Sequence, residues 1–279
     1  MILNLNIQGK GLPVLCLHGH PGSAACMSVF TQHLSSRFQT LAPDLRGYGN
    51  SPASEDFTMV EHLHDLEMLL ERYEIDRCLI VGWSLGGILA MELALKFPER
   101  VQGLVLIATA ARPWGDHPPI AWTDYVYTGL ASILNRLYPG WVWNIDTFGK
   151  RSLYRYLLQQ HTPTAYQHLA DEGMMAFLQT SGVADRALRQ ALSTRYNRLA
   201  DLPQIQCPVL VLAGEADRHI TAQSSLETAQ ALPHCEWHIY PNAAHLLPWE
   251  IPTQLLADID RWIDQHGFAE ITDQATNNL

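Results

Sequence analysis

Ser84 sits in the hexapeptide Gly82-Trp83-Ser84-Leu85-Gly86-Gly87, between the apolar run Cys78–Val81 and a helix-like stretch from Leu85 to Phe97. A Gly-x-Ser-x-Gly turn between a strand and a helix is a nucleophile elbow: it holds the central residue in a strained backbone geometry, and small neighbours two positions away relieve the crowding. The spacing predicts a Ser84 hydroxyl projecting at the edge of a sheet, with the positive N-terminal end of the next helix aimed at the same spot. A serine hydroxyl is a weak nucleophile at neutral pH, so this chemistry needs a histidine base and a carboxylate to fix the base's tautomer. Asp217, after the run Val209–Leu212, and His245, after Glu236–Tyr240, supply both from adjacent loops, with Glu215 as the second choice of carboxylate. The loop His18-Gly19-His20-Pro21-Gly22-Ser23 follows Val14–Leu17, and here an oxyanion hole is expected, built from the backbone N–H groups of His20 and Leu85. Trp83 and Trp114 are the candidate substrate contacts.

The elements that must position these residues are legible as short apolar runs, each followed by Gly or Pro and then a helical pattern: Val14–Leu17, Gln39–Ala42, Cys78–Val81, Leu104–Ile107 and Val209–Leu212. This is the signature of a parallel α/β sheet. Glu236–Tyr240 alternates and predicts a late strand near the sheet edge, and Leu3–Ile7 is a candidate first strand. Thr58 with Glu61 forms a capping box ahead of a periodic apolar stripe, and Pro252 opens a helix carrying Leu255, Ile259 and Trp262. The stretch Leu85 to Phe97 is apolar almost all round, as expected of a helix buried in the middle of a domain. From Ala111 to Ala200 the strand rhythm stops, and Trp114, Trp122, Trp141 and Trp143 appear among helical patterns. The expected organisation is a discontinuous core of residues 1–110 and 201–270, a helical cap of 111–200 roofing a pocket at the strand ends, and a polar tail of 271–279.

A chain of 279 residues with 47% apolar and 16% charged residues has the composition of an ordinary globular protein. Its formal charge of −10 and lack of Lys/Arg clusters argue against nucleic-acid partners. Five cysteines, three of them in or beside strand-like runs, read as reduced thiols in a cytoplasmic protein. Neither a secretory leader nor a membrane-spanning or membrane-inserted segment is expected. His62 and His64, two apart on a helix, point to different faces and do not chelate together, and no glycine-rich segment has phosphate-loop spacing, so neither metal nor other cofactor is implied. The expected partner is a small molecule, and the sequence leaves the oligomeric state open.

Taken together, these motifs resemble the α/β-hydrolase superfamily over about Asn4 to Gly267. His18-Gly19-His20-Pro21 is similar to its oxyanion loop, Asp44 to Ser51 to the structural turn after the next strand, and the order Ser84, Asp217, His245 to its triad. The elbow and the run to Val101 look particularly like the carboxylesterases of the biotin-synthesis type. The resemblance implies an α/β-hydrolase fold, a mostly parallel central sheet flanked by helices with an inserted helical cap, and a serine hydrolase acting on a small or medium carboxylic ester or thioester. Serine at the elbow disfavours the epoxide hydrolase and haloalkane dehalogenase branches, which place aspartate there. Two alternatives stay open: a lyase or carbon–carbon bond hydrolase on the same triad, with Arg112, Arg151 and Arg155 as possible carboxylate ligands, and a slow or non-catalytic ligand receptor on the same scaffold.

Overall fold

The computed structural model describes residues 1–268, and the polar tail expected at 271–279 lies outside the described residues. Its strands are β1 (Leu5–Gln8), β2 (Pro13–Leu17), β3 (Gln39–Pro43), β4 (Cys78–Trp83), β5 (Val101–Ile107), β6 (Val209–Gly214) and β7 (Cys235–Tyr240). They form one seven-stranded sheet in the order β1-β3-β2-β4-β5-β6-β7, with β1 antiparallel to β3 and every other pairing parallel. The expected edge position of Glu236–Tyr240 is found in β7. Before β5 the helices are α1 (Ser28–Leu34), α2 (Met59–Arg72) and α3 (Leu85–Lys96). Between β5 and β6 lie α4 (Trp122–Leu137), α5 (Val142–Thr147), α6 (Pro163–His168), α7 (Met174–Leu178) and α8 (Gly182–Ser193). After β6 come α9 (Ala222–Ala231), α10 (Leu247–Glu250) and α11 (Pro252–Gln265).

Central strands covered on both faces must be apolar at every position, and β4 and β6 are buried throughout. Alternate residues feed two cores. Val14, Cys16, Leu79 and Val81 pack with Phe30 and Leu34 of α1 and Leu255, Ile259 and Trp262 of α11 on one face. Leu15, Leu17, Ile80 and Leu104 pack with Leu66 of α2 and Ile88, Leu89 and Leu93 of α3 on the other. α2 starts as its sequence dictates: Thr58 accepts from the Val60 N–H, and Glu61 accepts from the Thr58 N–H at 2.8 Å. Every strand order and loop that matters for chemistry converges at one end of β2, β4, β6 and β7, where the chain leaves each strand toward His18, Ser84, Asp217 and His245.

The turn after β3 is structural, as its resemblance implied. Asp44 accepts hydrogen bonds from the Ala24 N–H at 2.7 Å, the Asn50 N–H at 2.8 Å and the Asn4 side chain at 2.8 Å, tying β1, the oxyanion-loop region and the turn together.

Candidate active site

Ser84 occupies φ 54°, ψ −115°, a left-handed backbone conformation for a residue with a side chain. The sequence permits it by removing side chains around it: a Cβ on Gly82 would lie 2.5 Å from the Gly86 carbonyl oxygen, and one on Gly86 would lie 2.0 Å from that of Leu17. The strained residue is pinned from three sides. Its N–H donates to the Ile107 carbonyl at 2.9 Å, and its carbonyl accepts the Thr109 hydroxyl at 2.7 Å and the Gly87 N–H of the first turn of α3 at 3.0 Å.

His245 reaches Ser84 and Asp217 at once. Its Nε2 is 3.1 Å from Ser84 Oγ and its Nδ1 2.8 Å from Asp217 Oδ2. An ionised carboxylate only accepts, so Nδ1 carries the proton given to Asp217 and Nε2 is left as the acceptor for the serine O–H. Asp217 is held in turn by the His219 N–H at 2.7 Å and the Ile220 N–H at 2.9 Å on its other oxygen. All three side chains are buried. This arrangement can take a proton from Ser84 and stabilise the imidazolium that results.

The His18–His20 loop passes directly over the serine, since a Cβ on Gly19 would meet Ser84 Cβ at 3.1 Å. His18 fixes that loop: its Nδ1–H donates to the Gly19 carbonyl at 2.8 Å and its Nε2 accepts from the Leu45 N–H at 3.0 Å. The His20 ring is 2.9 Å from the Tyr48 hydroxyl through Nδ1, and burial holds its pKa below the ordinary imidazole value. Leu85 opens α3, where the first N–H groups have no partner within the helix.

A cavity of about 810 Å³ opens over this site, lined by Ser84, His20, Leu85 and Ile88 from the core and by Trp114, Leu188, Leu192 and Tyr196 from the helical insertion. Of the arginines considered from sequence, Arg112 lines it and pairs with Glu227 at 2.6 Å. The other two do not: Arg155 pairs with Asp124 at 2.8 Å and Arg151 donates to the Thr147 carbonyl, both within the insertion and away from the cavity wall. Arg195, unremarked in the sequence, does line it. Trp114 is in the wall as expected. Trp83 is not: its indole packs edge-on against Trp249 and donates to the His245 carbonyl at 3.2 Å, so it props the histidine loop from beneath. Glu215 is exposed and meets β7 through its backbone, away from His245.

Two further residues escaped the sequence reading. Glu250 is buried behind the histidine loop, where one oxygen accepts from the Ala244 N–H at 2.8 Å and the other from the Gln159 and Gln160 N–H groups at 2.8 and 2.6 Å. Burial pushes its carboxyl pKa up, with the three N–H donors opposing. Its signal was a lone acid within the apolar run Leu246 to Pro252. His219 meets His245 edge-on with ring centroids 4.6 Å apart, and its Nδ1 lies 3.1 Å from His117 Nε2. Nothing in the sequence marks it beyond its place two residues after Asp217.

Residues 14–259 match the model of the alpha/beta hydrolase family. The chain is 25% identical over 244 residues to the pimeloyl-[acyl-carrier protein] methyl ester esterase of Vibrio atlanticus, covering 86% of this chain and 90% of that one. It is 29% identical over 257 residues to the 2-hydroxymuconate semialdehyde hydrolase of Pseudomonas putida, covering 87% and 83%. Among solved structures, a thermophilic esterase from Thermogutta terrifontis superposes with a TM-score of 0.72 at 26% identity over 95% of this chain and 93% of that one.

Proposed function

The chain belongs to the alpha/beta hydrolase family and is an enzyme of the hydrolase class, and from that premise we propose that it is a serine hydrolase cleaving a small or medium carboxylic ester or thioester. His245 takes the Ser84 proton as Oγ attacks the carbonyl carbon, and Asp217 orients and stabilises the imidazolium. The tetrahedral oxyanion is held by the His20 and Leu85 N–H groups. Collapse expels the alcohol or thiol, which receives the proton from His245. A water, deprotonated by His245, then attacks the acyl-enzyme, and the acid leaves with Ser84 restored.

The observation that carries this reading is the single histidine bridging Ser84 at 3.1 Å and Asp217 at 2.8 Å, with Ser84 itself in the wall of the cavity. The helical insertion acts as a cap over it, and the wall contributed by Leu85, Ile88, Leu188, Leu192 and Trp114 suits an apolar acyl group. A second reading, a carbon–carbon bond hydrolase on the same residues, draws on the Arg112 and Arg195 side chains in the wall, which offer a charged partner to a carboxylated substrate.

The test pairs an active-site-directed fluorophosphonate with p-nitrophenyl esters of increasing chain length. Wild type should label and turn over, and Ser84→Ala should lose the label and about 10⁴-fold or more of kcat. Labelling without ester turnover moves the assignment to the carbon–carbon reading, and absence of labelling overturns both.

A further inference from the structure

Helix α4 is built inside out. The side it turns to the protein carries, beside Tyr127 and Leu134, small and polar residues: Asp124 pairs with Arg155, Thr128 accepts from the Leu153 N–H at 2.9 Å, the Ser132 hydroxyl meets that of Tyr154 at 2.6 Å, and Asn135 donates to the Tyr166 carbonyl at 2.6 Å. The side it turns to water carries Trp122, Tyr125, Ile133 and Leu137, and the chain continues into the exposed Trp141 and Trp143. A surface helix ordinarily does the reverse, burying its apolar stripe and wetting its polar one. Between Trp122 and Trp143, ten large apolar side chains are exposed. At these exposures they leave on the order of 1,000 Å² of apolar side chain in water, beyond the few hundred Å² of the largest patch on a typical monomer.

We infer that this face is a lipid-surface docking site, on which α4 and the start of α5 at Trp141–Trp143 lie in the interface of an anionic bilayer. Two features select a lipid occupant. The first is composition: Trp122, Tyr125, Tyr138, Trp141 and Trp143 are the amphipathic aromatics that sit at the headgroup boundary, interspersed with aliphatic side chains that reach the acyl chains. The second is charge. Residues 121–156 hold four bases, Arg136, Lys150, Arg151 and Arg155, against two acids, Asp124 and Asp146, a local balance of +2 in a chain whose formal charge is −10. Arg136 and Arg151 form no ion pair among the described residues. With Arg155 paired to Asp124 and Lys150 to Asp146, the charges left over in this segment are the bases Arg136 and Arg151; a second copy docking by two-fold symmetry brings no acid to them, whereas anionic headgroups do. Adsorption of this kind needs no spanning segment, and among the described residues no helix is long and apolar enough to cross a membrane. The inference does not depend on the chemistry at Ser84.

The experiment is flotation of the purified protein with vesicles of phosphatidylcholine alone and of phosphatidylcholine mixed with phosphatidylglycerol, with sedimentation velocity in parallel. Wild type should float with the mixed vesicles, more strongly than with phosphatidylcholine alone. The combined variant Trp122→Ser, Ile133→Ser, Leu137→Ser and Trp143→Ser should lose about tenfold or more of that partitioning. A thermal midpoint no lower than that of wild type shows that the variant is folded; if it is lower, Trp122→Ser and Trp143→Ser are read singly, each with a smaller expected loss. Equal flotation of folded variant and wild type overturns the proposal, as does failure of wild type to float with either vesicle. A wild-type dimer that ignores both vesicles and dissociates in the variant overturns it in favour of a second copy.

Discussion

At the scale of single residues, Glu250 is tied to the loop that carries His245 without lining the cavity. Its carboxylate clamps the Ala244 N–H, one residue before His245, to the Gln159 and Gln160 N–H groups of the insertion. Glu250→Gln keeps the shape but turns an NH₂ toward one set of N–H donors, leaving a donor facing a donor. The expected cost is about 1–3 kcal/mol of stability. If the clamp also aligns His245, kcat on a soluble ester falls about ten- to hundredfold while KM changes little. A loss of stability with kcat intact would make Glu250 a structural residue only. Much of the site was legible because Ser84, Asp217 and His245 each follow a strand with a recognisable pattern, in the turn or loop at the same end of the sheet, so topology brings them together. Glu250 and Trp83 were not, because their roles rest on which backbone groups they face across the fold, and spacing carries no record of that.

At the scale of elements, the packing of β2 against α3 is the constraint that makes the strained serine possible. Gly86 brings the helix backbone so close that a Cβ would sit 2.0 Å from the Leu17 carbonyl oxygen, a backbone atom that cannot swing aside. Gly86→Ala should therefore push α3 off the sheet, costing more than about 3 kcal/mol and removing Ser84 from reach of His245. Chemical denaturation and fluorophosphonate labelling check the two consequences separately, and a stable, labelled variant would refute the argument. Every strand expected from the sequence is present to within a few residues, since buried parallel strands announce themselves as short uninterrupted apolar runs. Helix α4 was harder to read. Its apolar stripe has the right period for a core-facing helix, and period says nothing of which side the rest of the fold covers; Trp122 and Leu137 are among the side chains left outside.

At the scale of the whole molecule, the layers on one face of the sheet enclose imidazoles that must stay neutral. His18, fully buried, uses Nε2 as an acceptor for the Leu45 N–H, a bond that protonation would destroy. His62, equally buried, packs against Phe57 and Tyr48, and its Nδ1 has no hydrogen-bond partner among the described residues. Burial lowers both to about 4. The unfolded chain takes up these protons near pH 6.5 and the folded one does not, so the stability the two contribute is complete above that value and is lost as pH falls through 6.5 toward 4. From pH 7 to pH 5 the pair should remove about 4 kcal/mol, half from each histidine. Urea unfolding at the two pH values measures this directly. His62→Phe, which replaces an unpartnered ring with an apolar one of similar size in an aromatic nest, should roughly halve the difference and shift stability little at pH 7. A loss that the substitution leaves untouched would mean that the acid sensitivity arises elsewhere in the molecule.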